Sequence, residues 1–227
     1  MARAERPVVI SSIAMSESAL YPKLVSYIEG TTDLAGGAPA GRASSLDSLA
    51  SYVAARTRSA RECALVFVCT HNSRRSQLAQ VWAQAAAAHY GATGLRAFSG
   101  GTEATALYPA ALAALGRAGF RIVDRAGGAN PVYEVSYSDG YPPLKIFSKL
   151  LGSPPNPKRD FCAVMTCSAA DRNCPVVPGA SMRVSIPYED PGVFDGTERE
   201  RAAYDALCRH VCGDMLYAFS RVMRGEG

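Results

Sequence analysis

Apolar positions along this chain switch between two periods. Residues 64–68, ALVFV, form an apolar and partly β-branched run of a length that suits a buried strand. Residues 95–99, 161–166 and 182–186 read as further strands. Helical spacing fills the intervals. Residues 77–90 are rich in Ala, Leu and Gln and stop at Gly91, and Pro109 stands near the start of a helix ending at Gly119. Thr197 and Glu200 form a capping box before a long helix that directs Tyr204, Leu207, Val211, Leu216, Phe219 and Val222 towards the sheet. This alternation predicts an α/β fold, a four-stranded parallel sheet wound with helices on both faces in the flavodoxin-like manner.

Two stretches lie outside that plan. Residues 1–60 read as a helical N-terminal extension, with helices over 19–28 and 45–56 and a Gly/Ala/Pro linker over 36–41. Residues 61–227 then make the main domain, interrupted at 124–160. There Gly127-Gly128, Asn130-Pro131, Asp139-Gly140, Pro142-Pro143 and Pro154-Pro155 break helical periodicity. This insertion exceeds a usual connection, so a lid or an interaction surface is expected, with a hairpin around Asp139-Gly140. Tyr133, Tyr137 and Tyr141 either line the mouth of a site or pack the loop onto the body. Gly100-Gly101-Thr102-Glu103 is expected to turn the chain after the second strand.

Composition narrows the classes. A chain of 227 residues, 48% hydrophobic, buries a core as one domain with embellishments. The net charge of +4 is mild and no basic run is interleaved with aromatics, which argues against nucleic acid and suits a small anionic substrate. No apolar run approaches membrane-spanning length, and the N-terminal patch PVVISSIAM is followed by no clean cleavage site, so a cytoplasmic location is expected. The seven cysteines are an odd number, which suits a reducing compartment better than a disulfide framework.

The chemistry concentrates between the first strand and its helix, at Cys69, Thr70, His71, Asn72, Ser73, Arg74, Arg75 and Ser76. A turn from a strand tip into a helix N-terminus aims several backbone N–H groups at one point, a cradle for a tetrahedral oxyanion. Cys69 at its base is favoured as the thiolate there, and Arg75 can hold two oxygens of the anion at once. The third strand delivers Cys167 at its C-terminal end, near Cys69. Cys167 and Cys174 are seven apart on a polar turn. They are open to three readings: a disulfide formed after local rearrangement, a zinc site for which only two ligands are local, or packed thiols. Cys208 and Cys212, spaced i, i+4 around His210, read as packing before a metal pair, and no metal is expected.

The apolar strand leading into C-x5-R-S resembles the low-molecular-weight protein tyrosine phosphatases and the thioredoxin-coupled arsenate reductases. FSGGTEATALYPAALAALGRAGF is similar to the reductase stretch after the second strand, with Gly100 where those proteins often have Ala. The segment from Cys167 to Pro175 is similar to their C-x6-C-P redox segment. Asp190-Pro191 matches the Asp-Pro loop of both families, which implies that Asp190 is the general acid, with Glu189 behind it. The resemblance covers residues 64–119 and 161–223. The paired arginines depart from the pattern, and Arg74 either biases the site towards more highly charged anions or points to solvent.

Arsenate reduction is therefore the first expectation. The resemblance implies attack by Cys69, protonation by Asp190, and a thiol relay through Cys167 and Cys174 restored by thioredoxin or a similar dithiol, with no tightly bound cofactor. Hydrolysis of phosphomonoesters through a phosphocysteine on Cys69 is the alternative. It ranks second because it leaves C-x6-C-P unexplained. A non-catalytic oxyanion-binding module stands third.

Overall fold

The computed structural model describes residues 20–32, 41–59, 61–125, 127–174 and 176–224. The expected linker, apart from Gly41, lies outside these residues, as do the N-terminal patch, Ala19 and Pro175.

The central sheet has four parallel strands in the order β2-β1-β6-β7. They are β1 (Cys63–Cys69), β2 (Leu95–Gly101), β6 (Phe161–Met165) and β7 (Ala180–Ser185). Every residue of β1 is buried. Its alternate side chains serve two cores, as the period of two requires. Leu65 and Phe67 join the larger cluster, while Ala64, Val66 and Val68 join the smaller.

The larger core lies under α1 (Pro22–Thr32), α2 (Ala43–Arg58), α3 (Arg75–His89), α4 (Pro109–Ala118) and α6 (Glu200–Arg224). The smaller is closed by α5 (Ser168–Asn173) and by apolar residues such as Leu151 and Val177. Helices thus flank both faces, but unequally. Leu24, Ile28, Leu46, Leu49 and Val53 of α1 and α2 are buried in the same core as α6, so these helices pack against the body.

The interrupted region is more ordered than its glycines and prolines suggest. β3 (Arg121–Asp124), β4 (Tyr133–Ser136) and β5 (Leu144–Ile146) make a second, antiparallel sheet in chain order. The expected hairpin is the β4–β5 pair, with Asp139-Gly140 in its connection. Tyr137 is buried and packs against Tyr141, and its carbonyl accepts from the Tyr21 N–H at 3.0 Å, so it holds the loop to the body.

Two expectations need correction. Gly100 and Gly101 do not turn the chain; they complete β2. A Cβ on Gly100 would lie 2.6 Å from the Leu151 Cα, and one on Gly101 would lie 2.2 Å from the Glu103 carbonyl oxygen. These glycines permit close approach of neighbouring backbone. The capping box is displaced as well. α6 begins at Glu200, whose carboxylate accepts from the Gly196 N–H at 3.1 Å and from the Tyr108 hydroxyl at 2.7 Å.

Candidate active site

β1 ends at Cys69 and α3 begins at Arg75. Between them the backbone passes through Asn72 at φ +48°, a left-handed conformation that Asn adopts more readily than most residues. The loop's carbonyls are taken up from outside it. The Thr102 N–H binds Cys69 O at 3.3 Å, the Glu103 N–H binds Thr70 O at 2.8 Å and the Tyr108 N–H binds Ser73 O at 3.1 Å. The Ser148 hydroxyl donates to His71 O at 2.8 Å, and the Gln77 amide donates to Asn72 O at 3.0 Å. With its carbonyls held outwards the loop turns its N–H groups inwards. None from His71 to Ser76 donates to a partner among the described residues. Inward N–H groups at the start of α3 constitute an anion cradle.

The Cys69 sulfur at its base is buried and lies 3.1 Å from the Ser76 hydroxyl. Asn72 Nδ2 donates to that same hydroxyl oxygen at 2.8 Å, which leaves the Ser76 proton free to point at sulfur. The Asn72 Oδ1 accepts from the Lys149 N–H at 3.0 Å. Asn72 is therefore a strut between the loop and the end of the insertion. Ser148 and Lys149, which sequence patterns did not single out, brace the cradle through contacts about 77 positions away in the chain.

Arg75 spans the cradle's far side. Its Nη2 donates to Asp190 Oδ2 at 2.6 Å and its Nη1 to Tyr188 O at 3.3 Å. Its Nε is buried with no acceptor among the described residues. Asp190 caps a short 3₁₀ turn, Pro191–Phe194, by accepting from the Gly192 N–H at 3.0 Å. Arg75 and Asp190 are thus joined by an ion pair at one side of the loop.

Arg74 is half-buried, and its side chain is held by partners beside the loop. Its Nε donates to the Tyr204 hydroxyl at 2.6 Å, its Nη2 bonds Asp195, and its guanidinium lies 4.3 Å from the centre of the Tyr108 ring. Tyr204 in turn donates to Asp195 Oδ1 at 2.7 Å. Arg74 thus ties the loop after Asp190 to the start of α3. His71 is exposed on the rim, with Nε2 3.3 Å from Glu103, while Ser73 is buried.

The second thiol lies beside the cradle. Val68 pairs with Met165, so continuing that register sets Thr70 next to Cys167, and the Thr70 hydroxyl is 3.6 Å from the Cys167 sulfur. Cys167 caps α5, its sulfur accepting from the Ala170 N–H at 3.3 Å. Cys174 follows the last residue of α5 and is half-buried.

The remaining cysteines differ in kind. Burial pushes the thiols of Cys63 and Cys162 up to about 12 and that of Cys208 up to about 11, and it raises Cys212 too. Cys208 accepts from the Trp82 indole N–H at 3.2 Å in the core. Thiols so disfavoured as thiolates are packing residues. Among the described residues no group of three or more metal-ligating side chains is gathered.

No protein-family model matches the chain. Its sequence is similar to curated arsenate reductases. That of Bacillus subtilis is 29% identical over 156 residues, spanning 69% of this chain and 94% of the relative. That of Shouchella clausii is likewise 29% identical over 156 residues, with the same coverage. A solved low-molecular-weight phosphotyrosine phosphatase from Vibrio cholerae is 14% identical, covering 73% of this chain and 99% of its own, with a TM-score of 0.45. Over most of the relatives' length the chain is thus similar to arsenate reductases. Among the described residues no helix is long and apolar enough to cross a membrane.

Proposed function

We propose that this protein is an arsenate reductase that works through a nucleophilic thiol and an internal thiol relay. The observation that carries the reading is the position of Cys167, at the tip of the strand next to β1, with its sulfur 3.6 Å from a hydroxyl of the cradle and with Cys174 at the other end of α5. Phosphomonoester hydrolysis needs neither thiol. The similarity to arsenate reductases supports the same choice.

Arsenate enters the cradle, where the inward N–H groups and the Arg75 guanidinium bind its oxygens. The Arg75 Nε has no acceptor to give up among the described residues, and the Arg75–Asp190 bond is exchanged for the oxyanion. Asp190 is then released towards the departing oxygen, which it protonates as the Cys69 thiolate forms its bond to arsenic and water leaves. The Cys167 thiolate attacks the Cys69 sulfur. The electron pair of the S–As bond stays on arsenic, arsenite departs, and a Cys69–Cys167 disulfide remains. Cys174 attacks Cys167, frees Cys69 and leaves a Cys167–Cys174 disulfide, which thioredoxin or a similar dithiol reduces. Ser76 supports Cys69 as a thiolate, and Thr70, His71, Asn72, Ser73, Arg74 and Ser76 supply the backbone of the cradle.

The test is arsenate with thioredoxin, thioredoxin reductase and NADPH. Arsenate-dependent loss of NADPH that vanishes in Cys69→Ser is the expected result. Hydrolysis of an aryl phosphate without any arsenate-dependent NADPH loss would move the phosphatase reading to first place.

A further inference from the structure

α5 keeps its two flanking thiols apart. Cys167 and Cys174 bracket a six-residue helix, and seven helical steps separate their Cα atoms by about 10 Å. A disulfide requires Cα atoms within roughly 7 Å. The pair therefore bonds only if the helix comes undone, and whatever holds the helix opposes oxidation.

One side chain of the neighbouring strand does most of that holding. Arg183, in β7, bonds the Asp171 carboxylate through Nη2, and the same nitrogen donates to the Asp171 carbonyl at 2.7 Å. Its Nε donates to the Cys174 carbonyl at 3.1 Å. Ser185 of the same strand donates to the other Asp171 oxygen at 2.8 Å. The cation sits against the C-terminal carbonyls of α5, where the helix dipole also favours it. It is only about a quarter exposed, at 27%, so water competes weakly for these bonds. Within α5, the Cys174 N–H binds Ala170 O at 2.9 Å and the Ala170 N–H binds the Cys167 sulfur at 3.3 Å. Drawing Cys174 onto Cys167 removes the helical bonds and strips Arg183 of its grip on Cys174.

We propose that Arg183 is a positioning residue that sets the reduction potential of the Cys167–Cys174 pair, by fixing the reduced segment in the helical form in which the two sulfurs cannot bond. This inference rests on the relay proposed above. Stabilising the dithiol relative to the disulfide makes the pair more oxidising, so its disulfide is more readily reduced by an external dithiol. The Asp171–Arg183–Ser185 cluster touches neither the cradle nor Asp190, so its effect is on the return of the thiols and not on the binding of the oxyanion.

The test is a glutathione equilibrium on the full chain carrying Cys69→Ser, which removes the competing disulfide. One glutathione disulfide takes two electrons from the pair and yields two glutathione thiols, which receive the two thiol protons. The Cys167–Cys174 fraction is counted by alkylation and mass spectrometry. Arg183→Met should shift the equilibrium constant towards disulfide by about tenfold, equivalent to ~30 mV. Arg183→Lys, which keeps the charge but not the fork, should fall between. Asp171→Asn should shift it the same way by less, and it serves if Arg183→Met does not fold. Constants within twofold of the parent in the folded variants would overturn the latch while leaving the relay intact. No Cys167–Cys174 disulfide in the parent at any glutathione ratio would remove the relay itself, and the latch with it.

Discussion

The hydroxyl of Ser76 stands 3.1 Å from the sulfur of Cys69, and its oxygen is already occupied by the Asn72 amide at 2.8 Å. The hydroxyl proton is thereby free to point at the sulfur, and a donor to a charged acceptor is worth about 1.5–3 kcal/mol. Ser76→Ala should therefore slow alkylation of Cys69 by iodoacetamide at neutral pH by roughly tenfold or more. Alkylation at the parent rate would show that the N–H groups of the cradle alone sustain the thiolate.

Arg75 presents a buried Nε, without an acceptor among the described residues, beside an Nη2 bound to Asp190. A lysine keeps the charge but cannot span two oxygens. Arg75→Lys should weaken inhibition of alkylation by phosphate or arsenate about 30-fold, corresponding to ~2 kcal/mol for a charge-assisted bond. Equal protection in the variant would remove the two-pronged contact from the account.

Gly101 lies where a Cβ would meet the Glu103 carbonyl at 2.2 Å and the Thr70 carbonyl at 2.6 Å, both of them backbone atoms. Gly101→Ala must displace either the end of β2 or the cradle. A loss of about 2–4 kcal/mol in denaturant unfolding is expected, together with weaker phosphate protection of Cys69. An unchanged midpoint with unchanged protection would contradict the close packing of these segments.

Lys149 is buried, its ammonium 4.8 Å from the centre of the Phe147 ring, with no carboxylate bound to it among the described residues. Burial lowers it from 10.5 to about 8. The folded state disfavours the ammonium, so between about pH 8 and 10.5 Lys149 binds more protons in the unfolded chain and its own contribution to stability rises with pH, opposite in sign to that of the buried thiols. Below pH 8 the penalty is fully present. Lys149→Met should raise the thermal midpoint at pH 7, and its gain over the parent should shrink as pH rises towards 10. A difference in midpoint between Lys149→Met and the parent that fails to shrink from pH 8 to pH 10 would give the wrong sign.

The sequence carries the site's skeleton more clearly than its supports. Residues 64–68 and the C-x5-R-S spacing lie within one continuous stretch, so strand, loop and helix are legible from local pattern. Asp190-Pro191 and the paired cysteines become legible once the loop is read. β3 and β5 were not, because strands of four and three residues with partly exposed side chains carry too little alternation to stand out among glycines and prolines. The struts depend on long separations: Arg74 meets Tyr204 across 130 positions, and Ser148 meets His71 across 77. No local signal encodes such pairs. Arg183 lay inside a predicted strand, where a charged residue between Met182 and Val184 was the one hint of a buried partner.

The relay is tested most directly by Cys174→Ser, assayed with arsenate and thioredoxin and followed by mass spectrometry after a single exposure. The variant should consume about one equivalent of arsenate and stop with a Cys69–Cys167 disulfide, whereas the parent turns over and passes through a Cys167–Cys174 disulfide. Aryl phosphate hydrolysis, if present in the parent, should survive. Sustained multiple-turnover reduction of arsenate by Cys174→Ser with thioredoxin would contradict the account.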